Sequence, residues 1–455
     1  MEFLNKKFLV VGAGISGNAA AKMAKRLGAE VVLSDSKAEA DIKWDLSDVK
    51  AAGVSVVFGK QDASLLDGVD QVIVSPAVPV RIPLIQEAYK RNIPVTSEVE
   101  MAWELAKSPI LAVTGTNGKT TTVTLLGQLM KTRFENAGVG GNIGTPLCEE
   151  AVNAGENSVV VAEISSYQME ASKNFNPHVA VVLNVTPDHV VRHGNLDVYQ
   201  QMKEKMFANQ SPDDYLVLSY DNDKTRGMAE RAKGKVFFFS RLEELEEGAF
   251  VKDGWLTILW QGQICRLCKT DELKIKGGHN VENALAAAGA AFLAGARIPK
   301  IVEVLKSFAG VEHRIEPVAT VNGVPYYNDS KATNTDSAIK ALESFPDHIV
   351  LIAGGDDKMT DLADFMALVK ERVDELILVG DAAARFKENA LAAGYPAEHI
   401  HEAGYSMEKA VEIAHNISGI PQKVLLSPAC ASFDMYEGFE ARGRDFKRLV
   451  KALLG

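Results

Sequence analysis

The segment that most constrains this chain is Thr114-Gly115-Thr116-Asn117-Gly118-Lys119-Thr120-Thr121, set between the apolar run Ile110-Leu111-Ala112-Val113 and a helix expected from Lys119. A glycine-rich turn joining a buried strand to a helix is the context a phosphate-binding loop needs, because backbone N–H groups then converge at a helix N-terminus. The spacing is unusual: two residues separate Gly115 from Gly118, where the common loop has about four. The working parts are present all the same. Gly115, Thr116, Asn117, Gly118 and Thr121 supply the cradle, Lys119 a cation for β- and γ-phosphates, and Thr120 a hydroxyl for Mg²⁺.

The same strand–helix alternation runs through the chain and predicts an α/β protein of doubly wound type. Phe8–Val11, Glu30–Leu33, Ser55–Phe58 and Gln71–Val74 read as buried parallel strands of a first unit, residues 1–107. A second, residues 108–310, has strands at Ile110–Val113, Val159–Ala162 and Val179–Val185. Its residues 215–276 read as β-hairpins turning at Asp253-Gly254 and Gln261-Gly262, and the apolar helix Asn280–Ala296 closes it. A third, residues 311–455, has strands at Pro325–Tyr327, His348–Ala353, Glu375–Val379 and Lys423–Leu426. A length of 455 residues fits three domains of roughly 150 residues.

Composition excludes several classes. A net charge of −11 argues against nonspecific nucleic-acid or anionic-membrane binding. The longest apolar stretch, Ala284–Ala296, is too short to span a bilayer, and no export signal is visible, so membrane insertion is not expected and the cytoplasm is. Four cysteines suit a reducing compartment. Cys265 and Cys268 have no second ligand pair at zinc spacing and read as structural.

Other segments carry chemistry-bearing residues. Gly12-Ala13-Gly14-Ile15-Ser16-Gly17 after the first strand, with Asp35 ending the second, fits a diphosphate-bearing ligand; alone it points to NAD. Glu163 and His189 follow strands and are placed to coordinate Mg²⁺, although histidine is an unusual ligand for so hard an ion. Lys203 borders the apolar face of the helix Leu196–Asn209, where a lysine would ordinarily snorkel to solvent. In the third unit, His313-Arg314, Asp329–Thr333, Gly354–Lys358 and Ser427–Phe433 form a basic, polar set suited to a small dicarboxylate.

Taken in order, Gly115–Thr121, Asn142-Ile143-Gly144, Glu163–Gln168, Pro187-Asp188-His189, Gly278–Asn283 and His313-Arg314 resemble the Mur ligase family, over essentially the whole chain. Asn328–Asn334 and Ser427–Asp434 look like the D-glutamate-adding branch. The resemblance implies three domains: an N-terminal Rossmann-like one, a central phosphate-loop ATPase-like one with a β extension, and a C-terminal Rossmann-like one. It implies ATP-dependent ligation of D-glutamate to UDP-N-acetylmuramoyl-L-alanine by a monomer, with ATP and Mg²⁺, in peptidoglycan precursor synthesis. UDP contacts then fall to Gly14, Ile15, Ser16, Asp35, Ser36 and Asn142, so that the first glycines hold uridine diphosphate and not NAD. Nucleotide contacts fall to the phosphate loop with Asn283, Arg314 and Asp329; D-glutamate contacts fall to Lys331, Thr333, Lys358, Ser432 and Phe433. Lys119, His189 and a carbamylated Lys203 are the implied catalytic residues, and Thr120, Glu163, His189 and Lys203 the implied metal ligands. The chain departs from the family at Val191, where an acid usually stands two residues after the histidine. A related ligase for another amino acid, a folate polyglutamate synthetase and an NAD-dependent oxidoreductase are the competing readings; the last leaves Gly115–Thr121 unexplained.

Overall fold

Runs such as Leu9-Val10-Val11 and Ile110-Leu111-Ala112-Val113 offer no polar face to water, so they lie inside parallel sheets covered by helices on both sides. In the computed structural model, which describes residues 1–42, 44–186, 190–357 and 359–454, three such sheets form. The first contains β1 (Lys7–Val11), β2 (Glu30–Asp35), β3 (Ser55–Phe58), β4 (Gln71–Val74) and β5 (Val95–Ser97), all parallel in the order β3-β2-β1-β4-β5. The strand order reverses between β1 and β4, which opens a ligand crevice at their carboxyl ends.

The second sheet contains β6 (Ile110–Thr114), β7 (Gly138–Gly141), β8 (Val160–Glu163), β9 (Val179–Val182), β10 (Tyr215–Ser219), β11 (Lys235–Ser240), β12 (Gly248–Lys252), β13 (Trp255–Trp260) and β14 (Gln263–Lys269). Their order is β14-β13-β12-β11-β10-β9-β6-β8-β7. The hairpins expected for residues 215–276 begin only at β12. Strands β10 and β11 instead extend the parallel sheet from β9, because their apolar runs are covered on both faces and the connection between them is helical. The two turns expected at Asp253-Gly254 and Gln261-Gly262 do form, with all four residues at positive φ, as a two-residue hairpin of right-handed twist requires.

These two sheets lie in one compact unit, Met1–Glu272 with Glu282–Ser307; Leu273–Val281 and Phe308–Gly455 make a second. The second unit is built on β15 (Glu316–Val321), β16 (Val324–Asn328), β17 (Ile349–Gly354), β18 (Val373–Val379), β19 (Ile400–Gly404) and β20 (Lys423–Leu426). The order is β15-β16-β20-β17-β18-β19, with β15 the antiparallel edge. No helix among the described residues is long and apolar enough to cross a membrane. The four cysteines are unpaired, and burial pushes the Cys268 thiol up to about 11.

Within the first unit the helix Glu98–Leu105 ties the first sheet to the second through two buried acids. Glu98 Oε1 accepts the Cys148 N–H at 2.6 Å, and Glu100 accepts the Lys173 and Asn174 N–H groups at 2.6 and 3.0 Å. Burial raises the Glu98 carboxyl to about 7. A carboxyl whose pKa is raised on folding contributes stability below its unfolded value and loses it as pH rises through the folded value. The melting temperature of Glu98→Gln should therefore gain on that of the unsubstituted protein between pH 5 and 8, by the equivalent of roughly 2 kcal/mol. Parallel pH profiles in calorimetry would show that Glu98 ionises freely.

Candidate active site

The phosphate loop is assembled by close packing that only glycine permits at two positions. Gly115 has φ +157° and Gly118 φ +85°; a Cβ on Gly118 would lie 2.3 Å from Asn283 Oδ1. Asn283, on the helix Gly278–Leu293, also accepts from Thr122 Oγ1 at 3.2 Å, so it stands against the loop. The helix Lys119–Lys131 has no side-chain cap and no acid in its first turn, so the positive end of its dipole favours an anion. Lys119 Nζ donates to the Gly115 and Thr116 carbonyls, each at 2.8 Å. Asn184, just past β9, braces the loop from below: its Oδ1 accepts the Asn117 N–H at 2.8 Å and its main-chain carbonyl accepts the Thr116 N–H at 3.0 Å.

Beside the loop, β6 pairs with β8 so that Val113 stands in register with Glu163. Glu163 is buried. Its Oε1 accepts from Asn142 Nδ2 at 3.0 Å, while Oε2 finds no hydrogen-bond partner among the described residues. A buried carboxylate oxygen left unpaired is costly, and a hard cation is the partner that suits it. On the far side of the loop, Thr116 Oγ1 accepts from Tyr199 Oη at 3.3 Å, and Lys203 Nζ lies 4.3 Å from the centre of the Tyr199 ring. Lys203 does not snorkel: the residue is 1% exposed. Its neighbour Lys205 turns the other way and donates to the Met169, Glu170 and Ser172 carbonyls.

The first sheet carries a cleft of about 830 Å³ at its switch point, lined among others by Gly14, Asp35, Ser36, Trp44, Lys60 and Val78. Gly12 has φ +103°, and a Cβ there would strike Ser75 and Val78. Gly14 leads the helix Ile15–Arg26, whose N-terminus again has no side-chain cap. Asp35 holds the turn, accepting the Ala13 N–H at 2.9 Å and the Lys37 N–H at 3.0 Å. Ile15 is largely exposed, and Asn142 belongs to the Glu163 side.

In the second unit, Asp329 accepts from Ser427 Oγ at 2.7 Å and from the Ile315 N–H at 3.2 Å, and burial raises its carboxyl to about 7. Arg314 Nε has no hydrogen-bond partner among the described residues. Lys331 Nζ sits 5.4 Å from the centre of the Phe439 ring, while Phe433 is 66% exposed. The buried Arg442 fastens the two loops together, donating to Ser330 Oγ and O and to the Cys430 and Ala431 carbonyls at 2.9–3.1 Å. Glu312, His313 and Glu316 also converge, but the Lys447 ammonium bonds both carboxylates and His313 Nδ1 accepts from Asn328, so the place a cation would take is filled.

Comparison with known proteins follows the same three-part division. The profile of the Mur ligase MurD-like N-terminal domain matches residues 6–97, that of the Mur ligase middle domain residues 113–291, and that of the Mur ligase glutamate ligase domain residues 313–430. The UDP-N-acetylmuramoylalanine–D-glutamate ligase of a Thermoanaerobacter species is 43% identical over 453 residues, covering 100% of both chains. Its counterpart in Pelotomaculum thermopropionicum is 45% identical over 452 residues, 99% of each. The chain belongs to the Mur ligase family. Among solved structures, UDP-N-acetylmuramate-alanine ligase MurC from Thermotoga maritima aligns over 98% of this chain and 99% of its own, with a TM-score of 0.60; at 20% identity that likeness concerns the fold alone.

On this Mur ligase frame, the structure brings Thr116, Lys119, Thr120 and Asn283 together at one loop, with Glu163 at the adjacent strand end and Lys203 behind Tyr199. His189 and Lys358 lie outside the described residues. Ser432 is buried, and Thr333 N–H bonds the Lys331 carbonyl. Asn184, Phe439 and Arg442 were missed in the sequence. The aromatic Phe439, eight residues into a helix-rich tail after Ala431, carries no local signal that it turns back under Lys331.

Proposed function

We propose that this Mur ligase joins D-glutamate to UDP-N-acetylmuramoyl-L-alanine, with ATP giving ADP and phosphate, in peptidoglycan precursor synthesis. The observation that carries the reading is identity along the full chain, above two-fifths, to ligases named for that reaction. The division into residues 1–107 for the UDP substrate, 108–310 for ATP and 311–455 for the amino acid is part of the proposal.

The phosphate loop and the uncapped N-terminus of Lys119–Lys131 bind the ATP phosphates. The Mur ligase resemblance assigns Arg314 and Asp329 to the same nucleotide. Thr120 and Glu163, with His189 and a carbamylated Lys203, would hold Mg²⁺, whose charge offsets that on the phosphates when bound. The unpaired Oε2 of Glu163 fits that assignment. The first-domain cleft takes the UDP moiety through Gly14, Ile15, Ser16, Asp35 and Ser36, and Asn142, beside Glu163, contacts the same substrate. Lys331, Thr333, Lys358 and Ser432 hold the D-glutamate carboxylates. Phe433 borders the same pocket, and Phe439, beneath Lys331, adds a second aromatic wall.

The reaction then runs in two steps. An oxygen of the L-alanyl carboxylate takes the γ-phosphoryl group, giving an acyl phosphate and ADP, with Lys119 steadying the charge on the transferring group. The D-glutamate nitrogen attacks the acyl carbon, the C–N bond forms, phosphate leaves, and the amine gives up a proton to solvent. His189 positions the reacting carboxylate. Phosphate release should require MgATP, UDP-N-acetylmuramoyl-L-alanine and D-glutamate together. Equal release when the amino acid or the muramoyl substrate is omitted would contradict the reading.

A further inference from the structure

Arg192 has no part in the reaction just described, yet it is one of the most heavily bonded side chains in the first unit. It lies in the helical turn Val190–His193, directly after Pro187–His189. Its guanidinium forks onto Glu170, with Nε to Oε1 at 2.7 Å and Nη2 to Oε2 at 2.8 Å. It also donates to the carbonyls of Pro76 (3.3 Å), Ala77 (3.4 Å) and Val78 (3.0 Å). Its own carbonyl accepts from Arg81 at 3.0 Å. Both partners of the fork are nearly buried, their side chains 11% and 12% exposed.

The two ends of this bracket matter. Ala77 and Val78 form a wall of the first-domain cleft, packed against Gly12 of the glycine turn. On the other side His193, next in sequence, stands between the rings of Tyr167 and Tyr199, each 5.5 Å away, and bonds Ser166 Oγ at 3.0 Å. Tyr199 in turn donates to Thr116 of the phosphate loop. A continuous line of contacts therefore runs from the wall of the diphosphate cleft, through Arg192, to the loop that binds ATP.

We propose that Arg192 is a positioning residue that sets the occupant of the first-domain cleft in register with the phosphate loop. The proposal rests on the reading that this cleft holds the UDP part of the substrate. Its consequence is that the nucleotide handle, remote from the reacting carboxylate, contributes to turnover and not only to affinity. Only a planar fork with five donors can serve a carboxylate and three carbonyls at once; a lysine keeps the charge and loses the geometry.

The test compares UDP-N-acetylmuramoyl-L-alanine with N-acetylmuramoyl-L-alanine, which lacks the nucleotide, as substrates of the full-length protein. In Arg192→Lys, kcat for the UDP substrate should fall at least about tenfold, a loss of the size that small misplacement of a reacting group causes. The slow turnover of the truncated substrate should stay within about twofold, as should ADP affinity, because neither draws on the bracket. The double variant Arg192→Met/Glu170→Met removes both charges, avoids a stranded carboxylate, and should behave alike. Equal loss with both substrates would mean a general structural role, and an undiminished advantage of the UDP substrate would mean no coupling; either overturns the proposal. Failure of the unsubstituted protein to use the UDP substrate at all would instead remove the functional reading beneath it.

Discussion

Replacing Lys119 by alanine is expected to lower phosphate release by about a hundredfold or more, the usual cost of removing a preorganised charge from a developing anion. The fold should survive. Lys119 Nζ bonds the Gly115 and Thr116 carbonyls of its own loop, and water can take those acceptors at a cost of about 1 kcal/mol. The loop's shape comes from elsewhere, from Asn184 beneath Asn117 and from Asn283 against Gly118. Circular dichroism should therefore match that of the unsubstituted protein while the acyl phosphate step slows by that factor. Near-normal turnover in a folded variant would mean that Lys119 does not face the phosphates.

Lys203 is the second position where a large effect is expected, for a different physical reason. A buried ammonium close to a divalent cation places like charges together; at about 4 Å and an effective dielectric of 20 the repulsion is roughly 4 kcal/mol. Capture of CO₂ reverses the sign. The deprotonated amine nitrogen forms a bond to the CO₂ carbon, a proton is released, and the resulting carbamate offers two oxygens to a cation. The proposed role draws on the side chain's setting: it is enclosed and lies over the Tyr199 ring, whose hydroxyl bonds Thr116. Lys203→Ala should lose most activity and regain part of it with added acetate. Lys203→Arg should stay inactive, because it keeps a cation where an anion is needed. Full activity of Lys203→Ala without a supplied carboxylate would refute the assignment.

What could be read from the residues, and what could not, divides along physical lines. Parallel strands with long apolar runs, such as β1, β6 and β17, announce themselves because both faces are covered. Strand β7 does not: Gly138-Val139-Gly140-Gly141 has no apolar pattern, and its glycines exist because a Cβ on Gly140 or Gly141 would run into the Thr145 or Glu163 carbonyl. The same contrast holds in the site. A glycine-rich turn carrying Lys119 is a local signal, so its place was legible. Asn184 and Arg442 act through contacts with main-chain groups distant in sequence, and no spacing rule marks such residues. Phe439 shows the limit most plainly. Nothing near Phe439 in the sequence marks it, yet the chain folds its ring under Lys331.

The central claim is the identity of the bond made, and the mass of the product tests it most directly. The protein would be incubated with MgATP, UDP-N-acetylmuramoyl-L-alanine and an equimolar mixture of D-glutamate, L-glutamate, L-alanine, L-lysine and meso-diaminopimelate. The nucleotide product should gain one glutamate residue less water, and single-component controls should assign that gain to the D isomer. A product carrying any other amino acid from the mixture, or equal use of L-glutamate, would contradict the account.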